Sequence, residues 1–86
     1  MNKRRLSIIV AGKNDDYWRD TVYMWVLEVK EILENEYNIE LNVELGEYDS
    51  ELPIVLVENE IAFVGVPGEE GYLIEYLKKT LDRICK

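Results

Sequence analysis

The chain has 86 residues, no histidine and a formal net charge of -8. Its 48% hydrophobic and 33% charged residues are typical of a globular protein, and the length predicts one domain spanning residues 1–86. The acidic balance argues against a nucleic-acid partner, because such binding needs clustered Lys and Arg to neutralise phosphates. The single basic cluster, Lys3-Arg4-Arg5, lies at the chain start and is interpreted as a solvated end.

Neither a membrane span nor a secretory leader is evident in the sequence. No apolar run approaches the roughly 18 residues of a membrane helix, and the N-terminus does not resemble a signal peptide. We therefore expect a cytoplasmic protein without a membrane partner. Abundant Glu and Lys, with no Gln, are typical of thermophile proteins, although the six asparagines run against that trend.

The first half of the chain predicts a strand, a long helix and a second strand. The apolar run from Leu6 to Ala11, closed by Gly12, is typical of a central strand. A helix is predicted from Asp15 to about Tyr37, with an N-cap and acidic residues at its start. Its predicted core face comprises Trp18, Val22, Trp25, Val26, Val29, Ile32 and Leu33.

The rest of the chain predicts the second strand named above, two further strands and a last helix. Ile39, Leu41, Val43 and Leu45 alternate with polar residues, which indicates a strand with one buried and one wet face. A short polar loop, Gly46 to Glu51, follows. The runs on either side of a turn containing Asn59 predict a hairpin. The last helix is predicted from Gly68 to Ile84, with a core face of Leu73, Tyr76, Leu77, Leu81 and Ile84.

The hairpin carries a family resemblance. It opens on Leu52-Pro53 and ends in Phe63-Val64-Gly65-Val66-Pro67. This pattern resembles the thioredoxin and glutaredoxin families, especially the small archaeal glutaredoxin-like proteins. The resemblance implies an α/β, thioredoxin-like fold, β-α-β-β-β-α, with a four-stranded mixed sheet. It also implies a cis peptide bond at Leu52-Pro53. A bond before proline is the only type of peptide bond for which the cis form costs as little as about 0.5 to 1 kcal/mol.

One helix of that family is missing here. Another helix normally separates the second strand from the proline and covers the second face of the sheet, whereas this chain has only the loop from Gly46 to Glu51. We therefore expect one face of the central strands to expose parts of Ile8 to Val10 and of Val55 to Val57.

The chemistry of the redox families is not expected. Their nucleophilic cysteine lies at the start of the first helix, where the helix dipole favours a thiolate. The matching stretch, Lys13 to Trp18, has no cysteine, and the carboxylates of Asp15 and Asp16 would repel a thiolate. Cys85, the only cysteine, is interpreted as a structural residue, with an intermolecular disulfide on oxidation as the alternative. We expect no thiol-disulfide catalysis and no cofactor.

Four carboxylates form a candidate acidic site. In a thioredoxin-like fold the loop before the proline lies beside the start of the first helix, so Asp15 and Asp16 could meet Asp49 and Glu51. Converging carboxylates could hold a hard divalent cation. The alternative is an N-cap and a solvated acidic loop, since the sequence has no metal-type spacing.

A second candidate site is a contact surface on the long helix. Tyr17, Tyr23, Met24 and Leu27 lie off the predicted core face. Apolar residues one turn apart on an exposed face indicate a surface for protein contact.

Three interpretations of function follow. The first is a redox-inactive thioredoxin-fold module that binds protein or associates with itself, with a homodimer expected through the sheet face or the Tyr23/Leu27 side. The second is an enzyme or metal-binding protein that uses the acidic cluster. The third rests on Ile8 to Gly12 and Ile32 to Tyr37, which resemble the KaiB clock-protein family. That resemblance implies a thioredoxin-like arrangement without the cysteine pair that acts by binding other proteins.

Overall fold

A computed structural model describes residues 3–65 and 70–85. Within these residues the chain follows the predicted order β-α-β-β-β-α, with elements β1 (Arg4–Gly12), α1 (Tyr17–Tyr37), β2 (Ile39–Glu47), β3 (Ile54–Val57), β4 (Glu60–Val64) and α2 (Glu70–Ile84). Pro67 and the predicted start of the last helix at Gly68 lie outside the described residues. Neither described helix is long and apolar enough to cross a membrane.

The strands form one mixed, open sheet of four strands in the order β2-β1-β3-β4. β1 runs parallel to β2, with Arg4 opposite Ile39 and Gly12 opposite Glu47. β3 is antiparallel to β1, and β4 is antiparallel to β3. β2 and β4 are therefore the two edges of the sheet. This agrees with the predicted α/β class and mixed sheet.

Both helices pack against the same face of the sheet and share one core with it. Leu6, Ile8 and Val10 of β1 alternate with more accessible residues, because successive side chains of a strand point to opposite faces. The other buried apolar residues of this core are Val22, Val26, Val29, Leu33, Ile39, Leu41, Val55, Val57, Leu73, Leu77 and Leu81. Each large side chain among them contributes about 1.5 to 3 kcal/mol by leaving water.

The predicted core face of α1 is too wide. Val22, Val26 and Val29 are fully buried, but Trp18 and Ile32 are 52% and 53% exposed. Trp25 is partly buried and packs against the core. Trp18, Trp25 and Ile32 recur at heptad spacing along one flank of the apolar stripe, and only the centre of a stripe must contact the sheet.

The start of α1 is capped as the sequence predicts, and Asn38 caps its end. The side chain of Asp16 accepts a hydrogen bond from the backbone N–H of Trp18 at 3.3 Å. At the other end Asn38 adopts φ 54°, and its N–H donates to the carbonyl of Glu34. A left-handed residue with this bond is a common helix stop.

The hairpin of β3 and β4 turns through Glu58 and Asn59, as predicted. Both have positive φ, 48° and 68°. Two left-handed central residues give the turn type whose twist matches that of paired strands. The pairing shifts register between Val55 and Leu56, so β4 carries a bulge. Glu58 also fastens the turn to β1, because its carboxylate accepts from the N–H of Ser7 at 2.9 Å.

The two helices are joined at the C-terminal end of α1. The hydroxyl of Tyr37 donates to the Oδ1 of Asp82 at 2.6 Å. Lys78 of α2 pairs with Glu36 of α1 at 3.2 Å. Burial raises the pKa of the Tyr37 hydroxyl, and the hydrogen bond to Asp82 raises it further.

Candidate functional site

The second face of the sheet is apolar and carries neither described helix. The strand registers place six apolar side chains on it, and we call this set the open face: Ile9, Ala11, Ile54, Leu56, Ile61 and Val64. Ile61 and Val64 are 57% and 52% exposed, whereas the helix-covered neighbours Ile8 and Val57 are fully buried. The expected exposure at Ile8 to Val10 and Val55 to Val57 is thus realised by Ile9 and Leu56.

A shallow groove of ≈ 380 Å³ crosses the open face and extends onto Gly46, Glu47 and Tyr48. Gly46 is needed for its shape, since a Cβ at this position would lie 2.9 Å from the Cγ2 of Ile9. Ile9 therefore leans over the backbone of β2. Because the missing side chain gives Ile9 this room, the groove continues from the centre of the sheet toward β2.

Tyr48 closes one end of the groove. Its N–H donates to the carbonyl of Gly12 at 2.8 Å, which holds the loop after β2 against the end of β1. Its side chain is 60% exposed. An exposed aromatic ring anchored by its backbone is a suitable contact for a partner, because little order is lost on binding.

Glutamates lie on β2 beside the open face, and we call Glu40 and Glu44 the acidic border. They are the register partners of Arg5 and Ile9, so they share the open side of the sheet. Arg5 pairs with Glu40 at 2.9 Å. The polar side chains that alternate along β2 from Glu40 to Glu44 thus point to the side predicted to lack its covering helix.

Arg19 is a buried charged residue that the sequence reading did not single out. It is 6% exposed, and its aliphatic stem lies against Gly12. Its guanidinium donates to the carbonyl of Gly46 at 3.4 Å and to Asp20 at 3.3 Å. Arg19 recurs with Val22 and Val26 at helical spacing, which is the signal that could have placed it on the core side. It positions the Gly46 end of the groove relative to α1.

The acidic candidates are not brought together as a metal centre. The loop after β2 does lie beside the start of α1, where Asp49 shares a shallow groove with Lys13 and Asn14. Asp16 is used as the helix cap. Across residues 3–65 and 70–85, no three His, Cys, Asp or Glu side chains are grouped closely enough to hold a metal ion. The expected convergence of Asp15 and Asp16 with Asp49 and Glu51 therefore stops short of a ligand set.

The candidate surface on α1 is only partly exposed. Tyr17 and Met24 are 70% and 55% exposed, and Leu27 lies at the margin of exposure. Tyr23 is partly buried and packs against the core. Tyr23 lies on the same flank of α1 as Glu34, whose carboxylate bonds to Leu41 of β2, so this flank faces the edge of the sheet.

The predicted cis bond before Pro53 is also wrong. The part of the chain that the structure describes has no cis peptide, so Leu52-Pro53 is trans. The trans form is the lower in free energy, and Pro53 enters β3 in it with its carbonyl accepting from the N–H of Gly65 at 2.7 Å. Cys85, at the far end of α2, is partly buried and packs against the core.

Comparison of the chain with protein-family models and with curated proteins finds no match.

Proposed function

We propose that this chain is a redox-inactive protein of thioredoxin-like fold that binds a protein, or associates with itself, through the open face. The single observation that carries this proposal is the row of apolar side chains on a sheet face without a helix. A contiguous apolar surface of this kind is costly in water and typically marks a contact site. Each square ångström that a partner covers contributes about 25 cal/mol.

The strand order β2-β1-β3-β4, with a parallel pair joined through α1 and an antiparallel hairpin, is compatible with a thioredoxin-like layout. The trans bond before Pro53 departs from what the family resemblance implies. A KaiB-like protein-interaction domain remains an alternative within the same class of function. The acidic-cluster alternative has weaker support, because the described carboxylates form no metal-binding group.

The test compares three forms of the full chain by light scattering and by capture of partners from native lysate. Ile61→Glu and Leu56→Glu together place charge on the open face. Ile32→Glu places the same charge on an exposed apolar residue of α1 and is the matched control. Circular dichroism checks that each variant is folded.

We expect the wild type and Ile32→Glu to form the same complex or dimer, and the open-face variant to lose it. The proposal fails if no association occurs, or if the open-face variant associates as well as the control does.

A further inference from the structure

We propose that the open face binds a basic amphipathic helix of another protein, with its apolar stripe on Leu56 and Ile61 and its Lys or Arg side chains against the acidic border. This inference rests on the proposed function and names the chemistry of the partner. It is argued from the width of the apolar strip and from the charges beside it.

The apolar strip has the dimensions of one helix. It spans β1, β3 and β4, two strand spacings of about 4.8 Å each, which is close to the roughly 10 Å diameter of a helix. Along β4 it runs from Ile61 to Val64, about 10 Å, or about two helical turns. A sheet face is ordinarily buried by a packed layer of helices or by a second sheet. A single extended strand would cover only part of this width.

The charge around the strip is one-sided. Glu40 and Glu44 lie beside the apolar side chains on the β2 side, and the chain as a whole carries a net charge of -8. A helix with Lys or Arg along one margin of its apolar stripe would meet these carboxylates at the rim. Such exposed pairs contribute only about 0 to 1 kcal/mol each, but they orient the partner and speed its encounter.

A second copy of this chain is a poorer fit to the same face. On the open side of the described sheet the basic side chain is Arg5, and Glu40 already pairs with it at 2.9 Å. Stacked sheets lie about 10 Å apart, a distance comparable with the screening length of about 8 Å at physiological salt. Two copies would therefore bring like charges together without a basic residue to receive the acidic border.

The experiment titrates the ¹⁵N-labelled full chain with two designed helical peptides that have the same leucine stripe. One carries lysine on its polar face and the other carries glutamate. The protein is used as wild type, as the open-face variant Leu56→Glu/Ile61→Glu, as the border variant Glu40→Lys/Glu44→Lys and as the control Ile32→Glu.

We expect the lysine peptide to bind wild type and Ile32→Glu at least about tenfold more tightly than the glutamate peptide, with amide shifts on β1, β3 and β4. The border variant should reverse this preference. The open-face variant should lose binding although it is more acidic, whereas simple electrostatic attraction would strengthen binding there.

The inference is overturned if both peptides bind alike, if neither binds, if the border variant keeps the wild-type preference, or if the open-face variant binds as tightly as the control. A homodimer that the open-face variant abolishes would overturn the basic-helix partner while leaving the open face as the interface. The light-scattering and capture measurements decide the proposed function separately, so the two failures are distinguishable.

Discussion

Replacing Gly46 with alanine places a methyl group against Ile9 at the edge of the groove. The new Cβ would lie 2.9 Å from the Cγ2 of Ile9 and 3.6 Å from the Cβ of Ala11. Carbon atoms pack best at about 3.5 to 4.0 Å, so Ile9 must move by roughly 0.6 to 1 Å. That methyl is carried directly on a branched Cβ, and its movement requires a rotamer or backbone adjustment.

The expected cost combines two opposing effects. Overpacking of this kind costs about 1 to 3 kcal/mol. Replacing glycine by alanine in ordinary backbone lowers the entropy of the unfolded chain and offsets about 0.5 to 1 kcal/mol of this. We therefore expect Gly46→Ala to lower the free energy of unfolding by about 0 to 2.5 kcal/mol. In an Ile9→Ala background the same change should be neutral or slightly stabilising, since the contacting methyl is gone.

The coupling between Gly46→Ala and Ile9→Ala is measured by urea unfolding of the wild type, the two single variants and the double variant. Gly71→Ala is the matched control, because a Cβ there meets no described atom within 4 Å and should stabilise the helix α2. An effect of Gly46→Ala on the free energy of unfolding that is the same in both backgrounds would refute the steric explanation.

Three further predictions concern the scaffold and the thiol. Glu34→Ala removes the carboxylate that accepts from the N–H of Leu41 at 2.8 Å, so we expect a loss of about 1 to 3 kcal/mol and faster exchange of that amide. Tyr37→Phe removes the bond to Asp82 and should cost about 1 kcal/mol near neutral pH. Folding raises the pKa of Tyr37, so the stability that its hydroxyl contributes is complete below the unfolded pKa of about 10. This contribution is lost as the pH rises above that value. Wild type and Cys85→Ser should both leave insulin disulfides unreduced.

Each of these predictions has its own control. Glu34→Gln keeps an acceptor and should retain most of the stability, while Glu31→Ala changes an exposed glutamate on the same helix. Tyr72→Phe changes an exposed tyrosine of α2 and is the matched surface control. A stability difference between wild type and Tyr37→Phe that stays constant between about pH 8 and pH 11 would contradict the raised pKa of Tyr37. Insulin reduction that disappears in Cys85→Ser would contradict the redox prediction.

The sequence was most informative for the sheet. Ile39 and Leu41 alternate with Glu40 and Asn42, and this period alone separates the core side of β2 from its open side. The loop at Gly46 was too short for a further helix, so the exposed face could also be predicted. The bulge of β4 was not predicted, because a register shift depends on how two strands meet.

The residues of α1 were harder to place from the sequence. Helical periodicity groups Trp18 with Val22, but it does not say how much of an apolar stripe the sheet will cover. Tyr23 is packed because the flank of α1 that carries it faces β2. This contact depends on the tertiary structure and cannot be read from helical periodicity. Arg19 was passed over because a charged residue is expected in water, yet its stem lies against Gly12 and its donors are engaged.

The proline isomer lies outside what a local pattern can decide. The two forms of an X-Pro bond differ by only about 0.5 to 1 kcal/mol, so the surrounding packing selects between them. The described acidic candidates also do not group into a metal-ligand set. The side chain of Asp16 is already engaged as the cap at the start of α1.

The two edges of the sheet also differ in how they resist aggregation. β2 carries Glu40, Glu44 and Glu47, and charged side chains of this kind discourage a foreign strand from pairing. β4 carries Glu60 alone, beside the exposed Ile61. The bulge of β4 hinders pairing at that edge, and because β2 is guarded by its charges, any strand addition between molecules through β4 ends at a pair.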